Sequence, residues 1–163
     1  MNKENIFFAH SAVQQQHIAQ QFADVCKQGL IIYLAGNLGA GKTTFVQGFI
    51  HQLGYQGRIK SPTYSLIESY KTPQCDCYHL DLYRLADAEE LEYTGFRDLL
   101  TPDAIFLIEW ADKGAGVLPL ADIVIEITYQ RHGRDIYFNA QTDKGRAVVH
   151  QLLDITFNNK TTH

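Results

Sequence analysis

The sequence has no excess of positive charge, no disulfide framework and no apolar run long enough to cross a bilayer. Lys and Arg number 14 against 18 Asp and Glu, a formal net charge of −4. A domain that grips nucleic acid unaided normally carries a basic patch or a high isoelectric point. Any RNA contact is therefore expected to come indirectly, through a partner. The three cysteines, Cys26, Cys75 and Cys77, are odd in number and irregular in spacing, which argues against a paired set. Cys75, Cys77 and His79 form a C-x-C-x-H run, but residues two apart simply share one face of a strand. A tetrahedral zinc site would need further ligands, and no second Cys/His cluster is visible. No stretch approaches the roughly 20 apolar residues of a membrane span. The first residues, MNKENIFFAHSAVQQQ, lack the basic-then-apolar order of a secretory signal. A cytoplasmic protein with no membrane association is the expectation. Repeats, low-complexity segments and long linkers are absent too.

What is present suits a single domain. The 163 residues, 45% hydrophobic and 20% charged, can bury a core without staples. Ile6–Ala9 reads as a short strand. Ser11 can cap a helix running to about Cys26, with Gly29 beyond its end. The continuous apolar run Leu30–Ala35 suits a strand buried on both faces of a parallel sheet. A glycine-rich loop over Gly36–Thr43 and a helix over Thr44–Leu53 follow. Gly57–Thr63 reads as a loop, Tyr64–Tyr70 and Cys77–Tyr83 as strands, and Ala88–Tyr93 as a helical stretch begun by Asp87. Phe96–Leu100 suits another turn, Ala104–Trp110 a second buried strand and Lys113–Pro119 a loop. Ala121–Tyr129 and Asp135–Gln141 suit a hairpin, and Asp143–Leu153 a last helix. The pattern predicts an α/β domain with a mixed sheet.

The loop Gly36-Asn37-Leu38-Gly39-Ala40-Gly41-Lys42-Thr43 matches G-x-x-x-x-G-K-[ST] at every fixed position. Its glycines let backbone N–H groups turn inward around phosphate oxygens, and the following helix points its positive end at the same anion. Lys42 is the candidate partner of the β- and γ-phosphates, and the Thr43 hydroxyl a candidate Mg²⁺ ligand. The motif follows an apolar strand and opens a helix, the context it requires. The glycines do not fit the dinucleotide pattern G-x-G-x-x-G.

Two acidic residues lie downstream. Ile105–Glu109 is an apolar strand ending in a carboxylate, which can reach a metal beside the loop. In the segment His79–Arg84, His79, Asp81 and Tyr83 would share one strand face. Asp81 is a candidate to orient attacking water or to complete the metal's outer shell. Each carboxylate also has a plainer reading as a solvated residue at a strand end. Ser61-Pro62-Thr63-Tyr64 suits a phosphate-sensing loop that changes order on hydrolysis, or an ordinary turn.

Taken together the motifs resemble the TsaE (YjeE) family, small bacterial ATPases needed to make N6-threonylcarbamoyladenosine on tRNA. The matching segments are GNLGAGKTT at Gly36–Thr44, KSPTYSL at Lys60–Leu66, YHLDLYRL at Tyr78–Leu85, ELEYTGFRD at Glu90–Asp98, IEW at Ile108–Trp110 and GVLP at Gly116–Pro119. Their order and spacing fit over nearly the whole chain. Asn37 departs from the Asp or Glu usual there. The resemblance implies a P-loop NTPase-like three-layer fold with a mixed, mainly parallel central sheet, forming one ATP-binding domain over residues 1–157 and a frayed polar tail at 158–163. It implies ATP and Mg²⁺ as cofactors, with Thr43 and Glu109 as metal ligands. Catalytic or switch roles fall near Thr63, Asp81 and Trp110. Nucleotide contacts fall on Asn37, Leu38, Gly39, Ala40, Gly41, Lys42, Thr43 and Thr44, with Ser11 and Arg134 added by position. The partners implied are TsaB and TsaD, with TsaD, not this chain, transferring the threonylcarbamoyl group while ATP turnover resets the complex.

Three other functions compete. A small-molecule phosphotransferase usually has an Arg-bearing lid, and no long Arg-rich insertion follows the loop. A GTP switch would be expected to carry an N-K-x-D loop, and Asn159-Lys160-Thr161-Thr162 lacks the Asp. A nucleotide-dependent binding module with negligible turnover is not distinguished by sequence.

Overall fold

A computed structural model describes residues 3–62 and 64–161. After a 3₁₀ turn at Lys3–Asn5 the elements run β1 (Ile6–Ala9), α1 (Ala12–Val25), β2 (Leu30–Ala35), α2 (Lys42–Gln52), β3 (Ile67–Lys71) and β4 (Asp76–Asp81). A 3₁₀ segment (Ala88–Thr94), α3 (Phe96–Leu99), β5 (Ile105–Glu109) and a 3₁₀ turn (Ala111–Gly114) follow, then β6 (Ile123–Gln130), β7 (Gly133–Ala140) and α4 (Asp143–Thr161). The seven strands form one sheet in the order β1-β7-β6-β2-β5-β4-β3.

The sheet is mixed, as expected, but its parallel part is confined to the centre. β6, β2, β5 and β4 run parallel, whereas β1–β7, β6–β7 and β3–β4 are antiparallel. The reason is local: β3–β4 and β6–β7 are joined by short connections, which only antiparallel neighbours can use.

One face is covered by long helices. Ser11 caps α1 by accepting a hydrogen bond from the Gln14 amide at 3.2 Å. The helix then buries Gln15, Ile18, Ala19, Phe22 and Ala23, a stripe at helical spacing. α1 lies close on α2 at Gly48, where a Cβ would meet the Gln16 backbone at 2.8 Å. Phe22, Phe45, Phe49 and Phe138 cluster beneath, with ring centroids 5.0–6.2 Å apart. The other face is covered by short segments that bring Leu85, Leu91 and Phe96 onto Tyr78, Leu80, Phe106 and Ile108. That thinner cover explains why β5 is buried at every position whereas β2 alternates, leaving Ile31 and Tyr33 half-buried.

Most elements fall within two residues of the sequence reading, and three departures matter most. β3 starts at Ile67 rather than Tyr64. β4 ends at Asp81, because Tyr83 turns its amide back onto Asp81 Oδ1 at 3.0 Å; Tyr83 therefore leaves the strand face it was expected to share with His79. α4 does not stop at Leu153 but continues to Thr161, so 158–161 extend a helix rather than a loose tail. Leu152 is fully buried and Leu153 and Ile155 pack against the same core, which carries the helix past its expected end. Residues 162 and 163 lie outside the described residues. Among the described residues no helix is long and apolar enough to cross a membrane.

Candidate functional site

Parallel register decides where the site lies. Leu34 pairs with Glu109, and Asp81 pairs with Glu109, so β2, β5 and β4 end side by side. In such sheets the crevice beyond the strands' carboxyl ends is the natural place for a ligand. Here the glycine loop leaves β2, and Glu109 and Asp81 close the two neighbouring strands. A cleft of about 330 Å³ opens between them, lined by Leu38, Gly39, Gly41, Lys42, Thr43, Thr44, Ser61, Asp81, Tyr83, Glu109, Trp110 and Arg134.

The loop's shape needs its glycines. Gly36, Gly39 and Gly41 have φ of +151°, +78° and +103°, values that side chains with a Cβ avoid. A Cβ on Gly36 would strike the Ile127 carbonyl oxygen at 2.7 Å, and one on Gly41 the Gln15 amide at 2.5 Å. Gly41 also stands at the N-cap of α2 without a side-chain cap, so the first amides of that helix are free to meet an anion. Lys42 folds over the loop, donating to the Gly36 carbonyl oxygen and standing 4.2 Å above the Trp110 ring. Burial lowers its pKa, and the nearby Glu109 and Asp81 carboxylates oppose that shift.

The acidic side of the cleft is more enclosed. Glu109 is only 3% exposed, and its Oε2 lies 2.6 Å from Nε2 of the fully buried His79. Beside it, Asp81 is half-buried; burial raises its pKa, the Tyr83 amide lowers it, and the Glu109 charge raises it further. A divalent cation would relieve both carboxylates. A divalent ion such as Mg²⁺ usually takes one or two carboxylates plus phosphate oxygens and waters rather than an all-protein cage, and this donor set fits that use. At Cys75, Cys77 and His79, Cys77 is buried with its thiol pKa well raised by burial, and His79 is engaged by Glu109.

Opposite the carboxylates, Thr43 Oγ1 and Ser61 Oγ lie 3.0 Å apart. This contact ties the Thr43 hydroxyl to the segment that precedes β3. Trp110 sits directly after β5 with φ +56° and ψ +43°. It is the only non-glycine with positive φ among the described residues, a strained state for a bulky side chain. Its ring meets Tyr83 at 5.1 Å as well as Lys42.

The structure thus brings Leu38, Gly39, Gly41, Lys42, Thr43, Thr44, Asp81, Glu109, Trp110 and Arg134 together. Three candidates are not on the lining. Ser11 is the exposed cap of α1; Asn37 is exposed, its carbonyl accepting from the Ala40 amide at 3.0 Å; Ala40 is buried against the core. Thr63 lies outside the described residues. Sequence reasoning missed Gln15, the hydrogen-bonded partner of both Gly41 and Arg134, placed Ser61 only within a candidate phosphate-sensing loop, and gave Tyr83 and His79 no individual roles. Gln15 carried a signal: it occupies the buried register of α1, where an apolar residue would be ordinary.

Comparison with known proteins agrees with this geometry. The family model described as "Threonylcarbamoyl adenosine biosynthesis protein TsaE" matches residues 9–136. The tRNA threonylcarbamoyladenosine biosynthesis protein TsaE of Haemophilus influenzae is 49% identical over 123 residues, covering 76% of this chain and 78% of that protein. The protein of the same name from Bacillus subtilis is 34% identical over 138 residues, covering 83% and 85%. The crystal structure of Bacillus subtilis YdiB superposes with a TM-score of 0.71 at 28% identity, covering 90% of this chain and 92% of that one. The chain belongs to the TsaE family of tRNA threonylcarbamoyladenosine biosynthesis proteins.

Proposed function

We propose that the chain is a Mg-ATP-binding ATPase whose turnover assists and resets a complex of TsaB and TsaD, with tRNA met through that complex. The observation that carries the reading is the placement of Asp81 and Glu109 at adjoining strand ends, facing a glycine loop that holds a buried lysine. In this reading the loop amides and Lys42 bind the phosphates, and the Thr43 hydroxyl and Glu109 hold Mg²⁺, which offsets phosphate charge. His79 fixes the Glu109 carboxylate from behind, as ligating carboxylates are commonly fixed. Asp81, more open to solvent, orients the attacking water. Trp110 and the 61–64 segment, with Thr63 in it, change contacts as the terminal phosphate is lost.

Calorimetry of the unaltered chain tests the binding half. Mg-dependent binding of ATP and ADP, with weaker GTP binding, is expected, and Lys42→Ala should weaken ATP binding by about 100-fold. A clear preference for GTP overturns the base assignment. Asp81→Asn should keep Mg-ATP affinity but lose most single-turnover hydrolysis measured with partners present. Glu109→Gln should instead blunt the Mg²⁺ dependence of binding, because a ligand acts in the ground state and a water-orienting base chiefly in the transition state. The reverse pattern would exchange the two roles. A pull-down with ATP or ADP tests the partners: failure to recover TsaB and TsaD in either state removes the assembly half.

A further inference from the structure

Gln15 is a polar side chain with no exposure at all, on the helix face that otherwise buries apolar groups. Burying an amide without partners is unfavourable, and Gln15 has two. Its Nε2 donates to the Gly41 carbonyl oxygen at 2.7 Å, and its Oε1 accepts from Arg134 Nη1 at 2.8 Å. One amide therefore joins the last turn of the glycine loop to a cation from the β6–β7 hairpin. Arg134 is held on its other sides too. Its backbone pairs with Ala9 and Tyr129, and its guanidinium lies 5.3 Å from the Tyr129 ring centre. Its Nε is buried with no hydrogen-bond partner, while the side chain lines the cleft. A guanidinium bonded through Nη1 and lining a cleft beside the glycine loop has further N–H donors to offer a second acceptor.

We infer that Gln15 is the positioning residue of the cleft, clamping Arg134 against the glycine loop so that the guanidinium donates to a phosphate oxygen of the bound nucleotide. The inference rests on the nucleotide reading above and adds to it the coupling of α1, loop and hairpin through one amide. It also explains why Gly41 tolerates no side chain: the Cβ position is taken by Gln15.

A double-mutant cycle tests this, with affinity for a non-hydrolysable ATP analogue measured by calorimetry in the presence of Mg²⁺. Gln15→Met keeps the length of the side chain and removes both hydrogen bonds; Arg134→Met removes the cation. Each alone should weaken binding by about ten-fold. The double variant should be within about two-fold of Arg134→Met, because the clamp has nothing left to hold. A purely structural Gln15 would give effects that add, and that result, or undiminished binding by Gln15→Met, overturns the inference while leaving the nucleotide reading intact. Absence of binding by the unaltered chain overturns both. Should Gln15→Met fail to fold, Arg134→Lys carries the test. An ammonium lacks the fork that serves Gln15 and a phosphate together, so affinity should fall nearly as far as in Arg134→Met. Parental affinity in Arg134→Lys would overturn the clamp.

Discussion

The two walls of the cleft are built to different standards. The glycine loop is tied at both ends by short hydrogen bonds, Gly36 to Lys42 and Gly41 to Gln15. The facing segment, from the end of α2 to the start of β3, meets the loop wall through Ser61 at 3.0 Å and is held elsewhere by longer hydrogen bonds. Gln47 Nε2 reaches the Ile59 carbonyl at 3.4 Å, His51 the Gly57 carbonyl at 3.3 Å, and the Tyr70 hydroxyl meets the Lys60 amide and carbonyl, each at 3.3 Å. Pro62 and Ile59 are buried, but Tyr64 is 96% exposed. A wall fixed by short bonds keeps its shape when a ligand arrives; one held by long bonds can re-form around it. In the proposed cycle the first binds nucleotide and the second reports its state.

Matched glycine substitutions should break this contrast most sharply. Gly41→Ala forces a Cβ into the Gln15 amide at a φ of +103°, and the expected loss is about 2–3 kcal/mol of stability, or nucleotide binding altogether if the loop yields instead. Gly57→Ala meets only the Tyr55 ring, nearest at its hydroxyl, and should cost under about 1 kcal/mol. Thermal melts and calorimetry on both variants compare the walls directly; equal losses would remove the distinction. The next effect separates the two hydroxyls that touch across the cleft. Thr43→Ala should raise the Mg²⁺ concentration needed for nucleotide binding, whereas Ser61→Ala should leave that dependence unchanged, as a Mg²⁺ titration of ATP affinity would reveal.

Tyr70→Phe should act on the adjustable wall alone. Losing its hydroxyl forfeits about 0.5–1.5 kcal/mol locally, speeds hydrogen exchange at the Lys60 amide, and leaves ATP affinity within about two-fold. The smallest effect concerns Asp81. Its folded pKa is raised by burial above the ordinary aspartate value of 3.8, so the folded state binds the proton more readily than the unfolded one. The destabilisation is present at neutral pH and is lost as pH falls through the raised value toward 3.8. Asp81→Asn should therefore raise the melting temperature of the metal-free protein slightly at pH 7, and the gain should vanish in acid. A gain that persists at low pH would contradict the cause.

The fixed wall was legible in the sequence because its chemistry is local. Glycines at set spacing after an apolar run define the loop, and the run Ile105–Glu109 fixes where its carboxylate emerges. The facing wall was less legible. Tyr64, Ser65 and Leu66 look like strand residues, yet pairing with β4 begins only at Ile67. What sequence could not supply is contact between distant segments: Gln15 with Arg134, 119 residues apart, or His79 with Glu109, 30 apart. Each side chain has an ordinary local reading, as helix surface, turn residue or strand residue, and only the assembled sheet and its packed helix bring the pairs together. Tyr83 shows the converse, where a period-two assignment failed because Asp81 captures the backbone two residues on.

Trp110 gives the protein a gauge of its own. It is the chain's only tryptophan, so indole emission comes from one place, the rim where the Lys42 ammonium covers the ring and Tyr83 abuts it. An anion that draws the lysine off that ring changes the electric field on a single fluorophore. Occupancy, exchange and the order of metal and nucleotide arrival can then be followed by emission from the unlabelled protein.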